Sequence, residues 1–271
     1  MAPRNPYLYD NLARRKTEMN PGKLSPKVSP GKSPGSNLHR KLAQSIGNQI
    51  LSGVYAPGAI LPNEADWCRI YGASRTTVRE AVKTLTAKGL LKSRTKIGSR
   101  VEPRENWNIL DRDVLAWHMA SMNPHEFFAS VQEVRKILEP EVAALAAQNR
   151  TPQQLRAITE AFEDMRKAKP GRNSVGPDVR FHLALLAAAN NVLLTPFGIM
   201  IEAALTNMFE FTSTHNPEPD MFIPKHEGIL KAVARGNAKA ARRAALNLLT
   251  DTDQTIAQLP AKTKKLSKTK T

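Results

Sequence analysis

The stretch LPNEADWCRIYGASRTTVREAVKTLTAKGLLKSRTKIGSRV, residues 61–101, decides the fold of the N-terminal part of this 271-residue chain. Asn63 predicts the start of a helix, because its side chain can accept a hydrogen bond from the first turn, and residues 71–73 break that helix. Ser74 predicts the start of a second helix, which Gly89 ends. Two short strands with a tight tip follow. The order helix, turn, helix and ribbon is that of a winged helix-turn-helix.

The second of these helices begins with short polar and basic side chains that suit DNA. Arginine can donate two hydrogen bonds to guanine, and threonine hydroxyls and helix N-terminal amides suit phosphates. The wing can reach the DNA backbone or the minor groove. We therefore predict DNA contacts from Ser74, Arg75, Thr76, Thr77, Arg79, Lys96 and Gly98. The alternative is a basic helix face that is exposed to solvent and binds nothing. The turn, the helix end at Gly89 and the wing argue against this alternative.

The same segment resembles the DNA-binding domain of the GntR family of bacterial transcription regulators over about residues 38–103. The resemblance rests on Gly53-x-Tyr55-x-Pro57-Gly58-x-x-Leu61-Pro62, on Ser74-Arg75-Thr76-Thr77-Val78-Arg79-Glu80-Ala81 and on Gly89-Leu90. It implies a homodimer that binds a palindromic operator in double-stranded DNA. Many relatives carry a DNA-contacting arginine where this chain has Ala65, so one contact and the operator sequence are expected to differ.

The formal net charge of +16 is unevenly spread. Residues 37–104 hold 12 Lys and Arg against 4 Asp and Glu, whereas residues 105–258 hold 16 against 18. Residues 1–36 hold 7 against 2, and residues 259–271 hold 5 against none. A basic domain with basic tails, joined to a nearly neutral module, is typical of a phosphate binder that carries a second function.

Composition also limits the class of protein. The length permits two domains, and 41% hydrophobic residues are enough for two cores. The single cysteine, Cys68, cannot form an internal disulfide and indicates a reducing compartment. The chain has no run of 18 apolar residues and no apolar signal core at its N-terminus. We expect a cytoplasmic protein without a membrane partner.

The fold class that these patterns predict is mainly α, a winged helix-turn-helix followed by an all-α helical bundle that binds a ligand. Residues 17–36 are rich in Pro, Gly, Ser and Lys and cannot bury a core. The predicted segments are a disordered basic extension (1–36), the winged helix-turn-helix domain (37–104), a connector (105–124), an effector-binding and dimerisation domain (125–258) and a disordered basic tail (259–271).

The connector and the C-terminal domain carry their own patterns. Two tryptophans in the connector, in WNILDRDVLAW (107–117), indicate a segment that docks onto a domain. Beyond it, helical periodicity predicts helices near 126–149, 152–168, 177–189, 192–213, 224–235 and 238–257. Pro177 is expected at or near a helix start and Gly176 in a loop.

This part of the chain resembles the all-helical FCD ligand-binding domain of the FadR-like branch of the GntR family. The signatures are VRKILEPEVAALAA (134–147), DVRFH (178–182), ANN (189–191) and HEGILKAVARGNAKAA (226–241). The connector is also similar to that of sugar-acid repressors in this family. The resemblance implies a small-molecule effector bound among the helices.

Three side chains of this domain could hold a metal ion. Asp178 and His182 are four residues apart and share one helix face, and His226 opens a later helix. On spacing alone, a hydrogen-bonded core histidine is the better interpretation. Matching positions in related regulators bind a divalent metal, so the resemblance implies a Zn, Ni or Mn site at Asp178, His182 and His226. Many relatives add a fourth histidine where this chain has Leu248, so we expect weaker metal binding, joint binding of metal and effector, or an effector held without metal.

Arg135 lies on or beside an apolar helix stripe, and a buried arginine requires an anion. Glu139, one turn later, is one candidate, and the carboxylate of a small organic acid is the other. We predict an effector site made by Arg135, Asp178, His182, Asn207 and His226, with His215 and Glu210 as further lining residues.

The function predicted from the sequence is that of a repressor of a sugar-acid catabolic operon, released from DNA by an aldonate-like acid. Metalloprotease, G-x-S-x-G, P-loop and dinucleotide motifs are absent, which argues against an enzyme. A metal-dependent hydrolase built on Asp178, His182 and His226 is one alternative. A nonspecific nucleoid-type DNA binder, which rests on the basic tails, is another.

Overall fold

The computed structural model describes residues 38–94, 98–168, 172–212 and 222–257. They form two compact units, divided between Ser121 and Met122. Several predictions fall outside the described residues: the N-terminal extension over 1–36, the tail over 259–271, Lys96 at the wing tip, His215, and the side chain of Glu210.

The first unit contains four α-helices and one hairpin among its described residues. In chain order these are α1 (Leu38–Leu51), α2 (Glu64–Tyr71), α3 (Arg75–Ala87), β1 (Leu91–Arg94), β2 (Gly98–Val101), a 3-10 turn (Arg104–Asn106) and α4 (Arg112–Ser121). The two strands are antiparallel, with Leu91 opposite Val101. Helix α1 packs against α3 and α4, and its Leu42, Ile46 and Ile50 side chains are buried. This is the winged helix-turn-helix that the sequence predicted.

The ends of α2 and α3 are set by local chemistry. Asn63 caps α2 by accepting a 3.0 Å hydrogen bond from the Asp66 amide. Gly72 ends α2 in the left-handed region, with φ of 61°. Ser74 then caps α3 by accepting from the Thr77 amide, and Gly89 follows α3 with φ of 73°. The turn between the helices is thus specified by residues that the sequence pattern identifies directly.

The predicted connector belongs to the core of the first unit. Trp107 and Trp117 are each less than a tenth exposed and pack in the same cluster as α1 and α3. The Trp107 indole donates to the Glu102 carbonyl at 2.9 Å. The Trp117 ring lies so close to α1 that a Cβ on Gly47 would fall 2.4 Å from its Cε3 atom. A glycine is therefore required where the connector crosses α1.

Lys88, the residue that follows α3, ties the connector to the end of that helix. Its Nζ lies 2.6 Å from Asp111 and 2.8 Å from Asp113, and 5.8 Å from the centre of the Trp117 ring. Burial lowers the pKa of Lys88, but the hydrogen bonds that its ammonium group donates to the two aspartates outweigh burial and raise that pKa. Asp111 also caps α4 by accepting from the Val114 amide. One charged cluster thus joins the end of α3 to the start of α4.

Substitution of Gly89 by alanine is expected to lower the free energy of unfolding of the first unit by about 3 kcal/mol. A left-handed φ disfavours any Cβ, and here that atom would also lie 2.2 Å from the Asn106 carbonyl oxygen. Gly72→Ala is the matched control, since Gly72 shares the left-handed φ but has nothing within 4 Å of the added carbon. Its loss should be about 1 kcal/mol. Equal losses in urea unfolding would show that the contact with Asn106 is unimportant.

The second unit is helical throughout its described residues. It contains α5 (Pro124–Asn149), α6 (Pro152–Lys167), α7 (Arg172–Ala188), a 3-10 turn (Val192–Leu194), α8 (Phe197–Thr212), α9 (Ile223–Ala234) and α10 (Ala238–Ala257). The long helix α5 packs against α7, α8, α9 and α10, and α6 packs against α7 and α9. Apolar residues of α5, α6, α7, α9 and α10 form one continuous core. A single helix, α5, therefore touches most of the elements that could line a site.

Two predicted helix boundaries in this unit were wrong. Helix α7 begins at Arg172, so Gly176 and Pro177 lie inside it rather than in a loop and at its start. Pro177 is the sixth residue of this helix, so the N–H that it lacks leaves the carbonyl of residue 173 without its usual helical hydrogen bond. The helix predicted over 192–213 is a 3-10 turn followed by α8. Pro196 lacks the N–H that would continue the turn as an α-helix.

None of the described helices combines the length and the apolar composition that crossing a bilayer requires.

Candidate functional site

The N-terminal end of α3 presents the first candidate site. Ser74, Arg75 and Thr76 are exposed there, and the Ser74 hydroxyl is hydrogen-bonded to the Thr77 hydroxyl at 2.9 Å. Arg75 has no ion pair in the part of the chain that the structure describes. A free guanidinium beside the positive end of a helix is a suitable anion and guanine ligand.

Arg79 lies one turn further along α3 and is exposed. Its Nε donates to Glu64 of α2 at 2.9 Å, and both side chains are largely in solvent. An exposed pair of this kind contributes at most about 1 kcal/mol, so Arg79 can exchange Glu64 for a DNA group at little cost. Gly98 begins the returning strand of the wing with φ of 92°. The structure thus presents these predicted DNA-contacting residues on α3 and on the wing.

The second candidate site is a triad in the helical unit, in which the two histidines are buried and the aspartate is partly buried. Asp178 and His182 project from α7, and His226 projects from α9. Asp178 Oδ1 lies 3.4 Å from His182 Nε2 and 3.1 Å from His226 Nε2, and the two Nε2 atoms are 3.4 Å apart. Three potential metal-ligand atoms therefore lie within 4.8 Å of one another. The structure brings together the three residues that the sequence could only suggest.

Both imidazole rings are oriented by an acceptor at Nδ1. His182 Nδ1 lies 2.9 Å from Glu139 Oε2, and His226 Nδ1 lies 2.8 Å from the Phe222 carbonyl oxygen. Each acceptor favours the tautomer that carries its proton on Nδ1, which leaves the Nε2 lone pair facing Asp178. A metal-ligating histidine in proteins has this same arrangement.

The donor set fits a divalent cation. Asp178 Oδ1 is buried and accepts no hydrogen bond of acceptable geometry within the described residues. Two neutral Nε2 atoms cannot hydrogen-bond to each other, so a metal ion or a proton placed between them and the oxygen would satisfy these atoms. Two imidazoles and one carboxylate suit Zn, Ni or Mn and leave a coordination position for water or an organic acid.

The charges around the triad favour a cation as well. Burial raises the pKa of Asp178 and Glu139, but this is outweighed in both. The His182 and His226 side chains lower the pKa of Asp178, and Arg135 and His182 lower that of Glu139 to about 2. For His182, burial lowers the pKa, yet Glu139 and Asp178 raise it to about 9. The two ionised carboxylates therefore require positive charge between them, which a proton on His182 or a metal ion can supply.

Arg135 is buried, 2% exposed, and its partner is Glu139. Its Nε donates to Glu139 at 2.5 Å and its second nitrogen to Gln132 at 3.0 Å. The ion-pair alternative considered for Arg135 is thus the one observed. To bind an effector carboxylate directly, Arg135 would have to part from Glu139. In the observed arrangement it acts on the triad indirectly, by holding the carboxylate that orients His182.

Two further positions of interest are Asn207 and Leu248. The Asn207 amide donates to the Ala203 carbonyl of its own helix at 2.7 Å, and it makes no hydrogen bond to the triad in the part of the chain described. Leu248, where the family resemblance implied the loss of a fourth histidine ligand, is 3% exposed and belongs to the apolar core. The position offers no metal ligand, so the described residues supply three.

Sequence reasoning missed the connections that orient the triad. Glu139 was considered only as a partner for Arg135, although its second oxygen binds His182. Gln132 was not considered, and the Phe222 carbonyl has no sequence signature at all. For Glu139, the available signal was an acidic residue one helical turn after an arginine on the same apolar face.

Comparison with known families gives two matches. The model of the gntR family of bacterial regulatory proteins matches residues 38–101, and the FCD domain model matches residues 130–251. The first covers the winged helix-turn-helix and the second contains the triad.

Curated relatives match over most of their length. An uncharacterised HTH-type transcriptional regulator, YieP of Escherichia coli, is 34% identical over 80% of this chain and 95% of its own. The galactonate operon transcriptional repressor of the same organism is 30% identical over 82% and 98%. Its Glc operon transcriptional activator is 30% identical over 75% and 83%.

Among solved structures, the Lar protein, described as controlling expression of the Listeria monocytogenes agr system, aligns with a TM-score of 0.53. The alignment covers 86% of this chain and all of that one, at 18% sequence identity. At that identity the likeness concerns the fold alone.

Proposed function

Because the chain belongs to the gntR family of bacterial regulatory proteins and carries an FCD domain, it is a DNA-binding transcription regulator, and we propose that it represses a sugar-acid catabolic operon. In this proposal an aldonate-like acid binds at Asp178, His182 and His226 and releases the protein from a palindromic operator. The observation that carries the proposal is the convergence of the two Nε2 atoms on the unpartnered Asp178 oxygen.

The proposed DNA contacts are Ser74, Arg75, Thr76, Thr77 and Arg79 on α3, with Lys96 and Gly98 from the wing. Their support is the exposed, capped N-terminus of α3 and the free guanidinium of Arg75. Helix N-termini of this kind enter the major groove in winged helix-turn-helix proteins, where side chains read base edges.

Arg75→Ala is expected to weaken binding to the operator by about 1–3 kcal/mol, because it removes a base or phosphate ligand. Arg156→Ala is the matched control: this arginine is also exposed and lies on α6 in the second unit. Its loss changes the net charge equally and should leave operator binding nearly unchanged. Fluorescence anisotropy at fixed salt measures both variants. Equal losses for the two would mean that binding depends on overall charge rather than on α3.

The proposed effector site uses the triad as the anchor for an acid. A divalent metal held by Asp178, His182 and His226 would supply a positive Lewis-acid centre for the carboxylate of the effector. Glu139 and the Phe222 carbonyl keep the two imidazoles in register, and Arg135 keeps Glu139 ionised and in place. The choice of a sugar acid follows from the galactonate repressor among the relatives. A role for Asn207 in contacting the hydroxyl groups of the acid remains part of the proposal.

The homodimer is proposed because a palindrome is matched by a protein with twofold symmetry. Light scattering should give about twice the 29.9 kDa mass of the chain.

For a direct test, the protein first selects the DNA fragments that it binds from a pool of random sequence. Galactonate is then added to the complex of the protein with a selected fragment. We expect galactonate to release the fragment. Treatment with a chelator should abolish this response, and addition of Zn²⁺, Ni²⁺ or Mn²⁺ should restore it. Tighter binding on addition of the acid would instead indicate an activator, for which the Glc operon relative is a precedent by name. If neither galactonate nor other aldonates change binding, the assignment to sugar acids is wrong.

A further inference from the structure

We propose that the second unit has another ligand site, a cationic groove between α9 and α10 that binds the phosphate group of a small molecule. The groove has a volume of about 290 Å³. Its charged and polar lining residues are Lys231, Arg235, Asn237, Arg243 and Asn247, and small side chains of the two helices make its floor, together with Gly228. None of the triad residues lines it.

The charge balance of this groove carries the proposal. Three cations line it and no carboxylate does. Lys231 is paired with Glu227 at 2.8 Å, but neither Arg235 nor Arg243 has a side-chain partner among the described residues. Like charges that line one groove repel each other, so an anion bound among them is favoured.

Not every arginine of α10 lacks an acidic partner. Arg242 precedes Arg243 on α10 and makes two hydrogen bonds of 2.6 Å to Glu141 of α5. The arginines that face the groove are left without an acid, whereas the one that faces α5 has one. The excess positive charge of the groove therefore comes from Arg235 and Arg243.

The shape and backbone of the groove suit a phosphate in particular. Guanidinium groups donate two parallel hydrogen bonds to phosphate oxygens, which ammonium groups cannot do. Asn237 caps α10 by accepting from the Ala240 amide at 3.0 Å, so the positive end of that helix lies at the groove. A volume near 300 Å³ is at the lower end of small-molecule sites, which favours a phosphate ester of modest size over a polymer.

The groove and the triad share helix α9. His226 lies on its buried side, whereas Lys231 and Arg235 are exposed. A ligand in the groove would contact the helix that positions one metal ligand. The groove site nevertheless stands without the metal, because its evidence is separate from that of the triad.

The test uses full-length protein stripped of metal with a chelator and then dialysed, so that phosphate cannot bind to metal at the triad. Pyrophosphate, inorganic phosphate and glucose 6-phosphate are titrated by calorimetry against a chloride background of equal ionic strength. The variant Arg243→Gln should lower the affinity for phosphate compounds at least about tenfold, since it removes one of the two free guanidiniums. The matched control is Lys239→Gln, an exposed cation of the same helix that does not line the groove. It should change the affinity less than twofold.

Binding of glucose 6-phosphate with an affinity above that of inorganic phosphate would identify an ester as the ligand, and the reverse order would identify free phosphate. Either result supports the site if Arg243→Gln lowers the affinity at least about tenfold. Equal effects of Arg243→Gln and Lys239→Gln would overturn the proposal, because they would reduce the groove to general surface charge. So would the failure of all three compounds to bind to a folded parent protein at millimolar concentration. Binding of double-stranded DNA of any sequence that Arg243→Gln weakens, without binding of the small compounds, would assign the groove to DNA phosphates and also reject the proposal.

Discussion

Asp178→Asn is expected to lower the affinity of the protein for Zn²⁺, Ni²⁺ or Mn²⁺ by at least about 100-fold, because loss of a direct ligand exceeds the loss typical of a supporting residue. The amide keeps the size of the carboxylate but carries no charge, and Asp178 Oδ1 is the atom that both imidazoles face. Titration calorimetry and metal analysis after dialysis measure the loss. Since the chain has Leu248 in place of a fourth ligand, the parent itself should give up its metal readily to a chelator.

Two further variants separate ligation from orientation. Glu139→Gln should lower the metal affinity by about 10–100-fold, since it weakens the group that orients His182 without removing a ligand. His39→Ala, a histidine of the first unit, should have no effect on metal binding. If Asp178→Asn retains the parent's affinity while the protein stays folded, the triad is not a metal site. The carboxylate would then act only as a hydrogen-bonding partner of the two imidazoles.

Arg135→Met is expected to lower the free energy of unfolding of the second unit by about 3–5 kcal/mol. The substitution keeps an unbranched side chain of similar length but leaves the Glu139 carboxylate buried without its main cation. Removal of one partner of a buried ion pair is more damaging than removal of both, because the remaining charge is desolvated and unpaired. Urea unfolding of metal-free protein, followed by circular dichroism, measures the change.

The double variant Arg135→Met/Glu139→Gln serves as the control for this effect. A neutral glutamine can still accept from His182 Nδ1 and no longer needs a cation, so the double variant should recover a large part of the lost stability. If the two variants are equally unstable, the loss arises from the packing of the arginine side chain rather than from the unpaired carboxylate. If Arg135→Met is as stable as the parent, the network of Arg135, Glu139 and His182 contributes little to the fold.

The fold of the first unit was largely predictable because local signals specify it. Asn63, Gly72, Ser74 and Gly89 each act through hydrogen bonds or backbone angles within a few residues of their own position. The boundary error at Pro177 has the opposite cause. A loop signal of Gly followed by Pro was overridden by the packing of α7 against α5, α6 and α8, which the sequence does not report.

The candidate site was predictable only in part for the same physical reason. Asp178 and His182 share a face of one helix, so their proximity follows from helical geometry. The approach of His226 from α9 was inferred from the family resemblance and not from the spacing. Contacts between helices, such as Glu139 with His182, depend on how helices cross and therefore have no linear pattern. The resemblance also could not say whether Arg135 pairs with Glu139 or with an effector.

The packing of the connector has a practical consequence for the construction of hybrid regulators. Trp107, Val114 and Trp117 complete the core beneath α1 and α3, and Lys88 is bound by Asp111 and Asp113. A chimaera joined after position 104, where the predicted winged helix-turn-helix domain ends, would lack Trp107, Val114 and Trp117. The apolar surface that they cover in the first unit would then be exposed to water. A junction at Ser121, two residues before the cap of α5, keeps the winged helix-turn-helix together with α4 and the connector residues that complete its core. We therefore expect domain exchange between relatives to give a folded first unit only when the seventeen residues at positions 105–121 are moved with it.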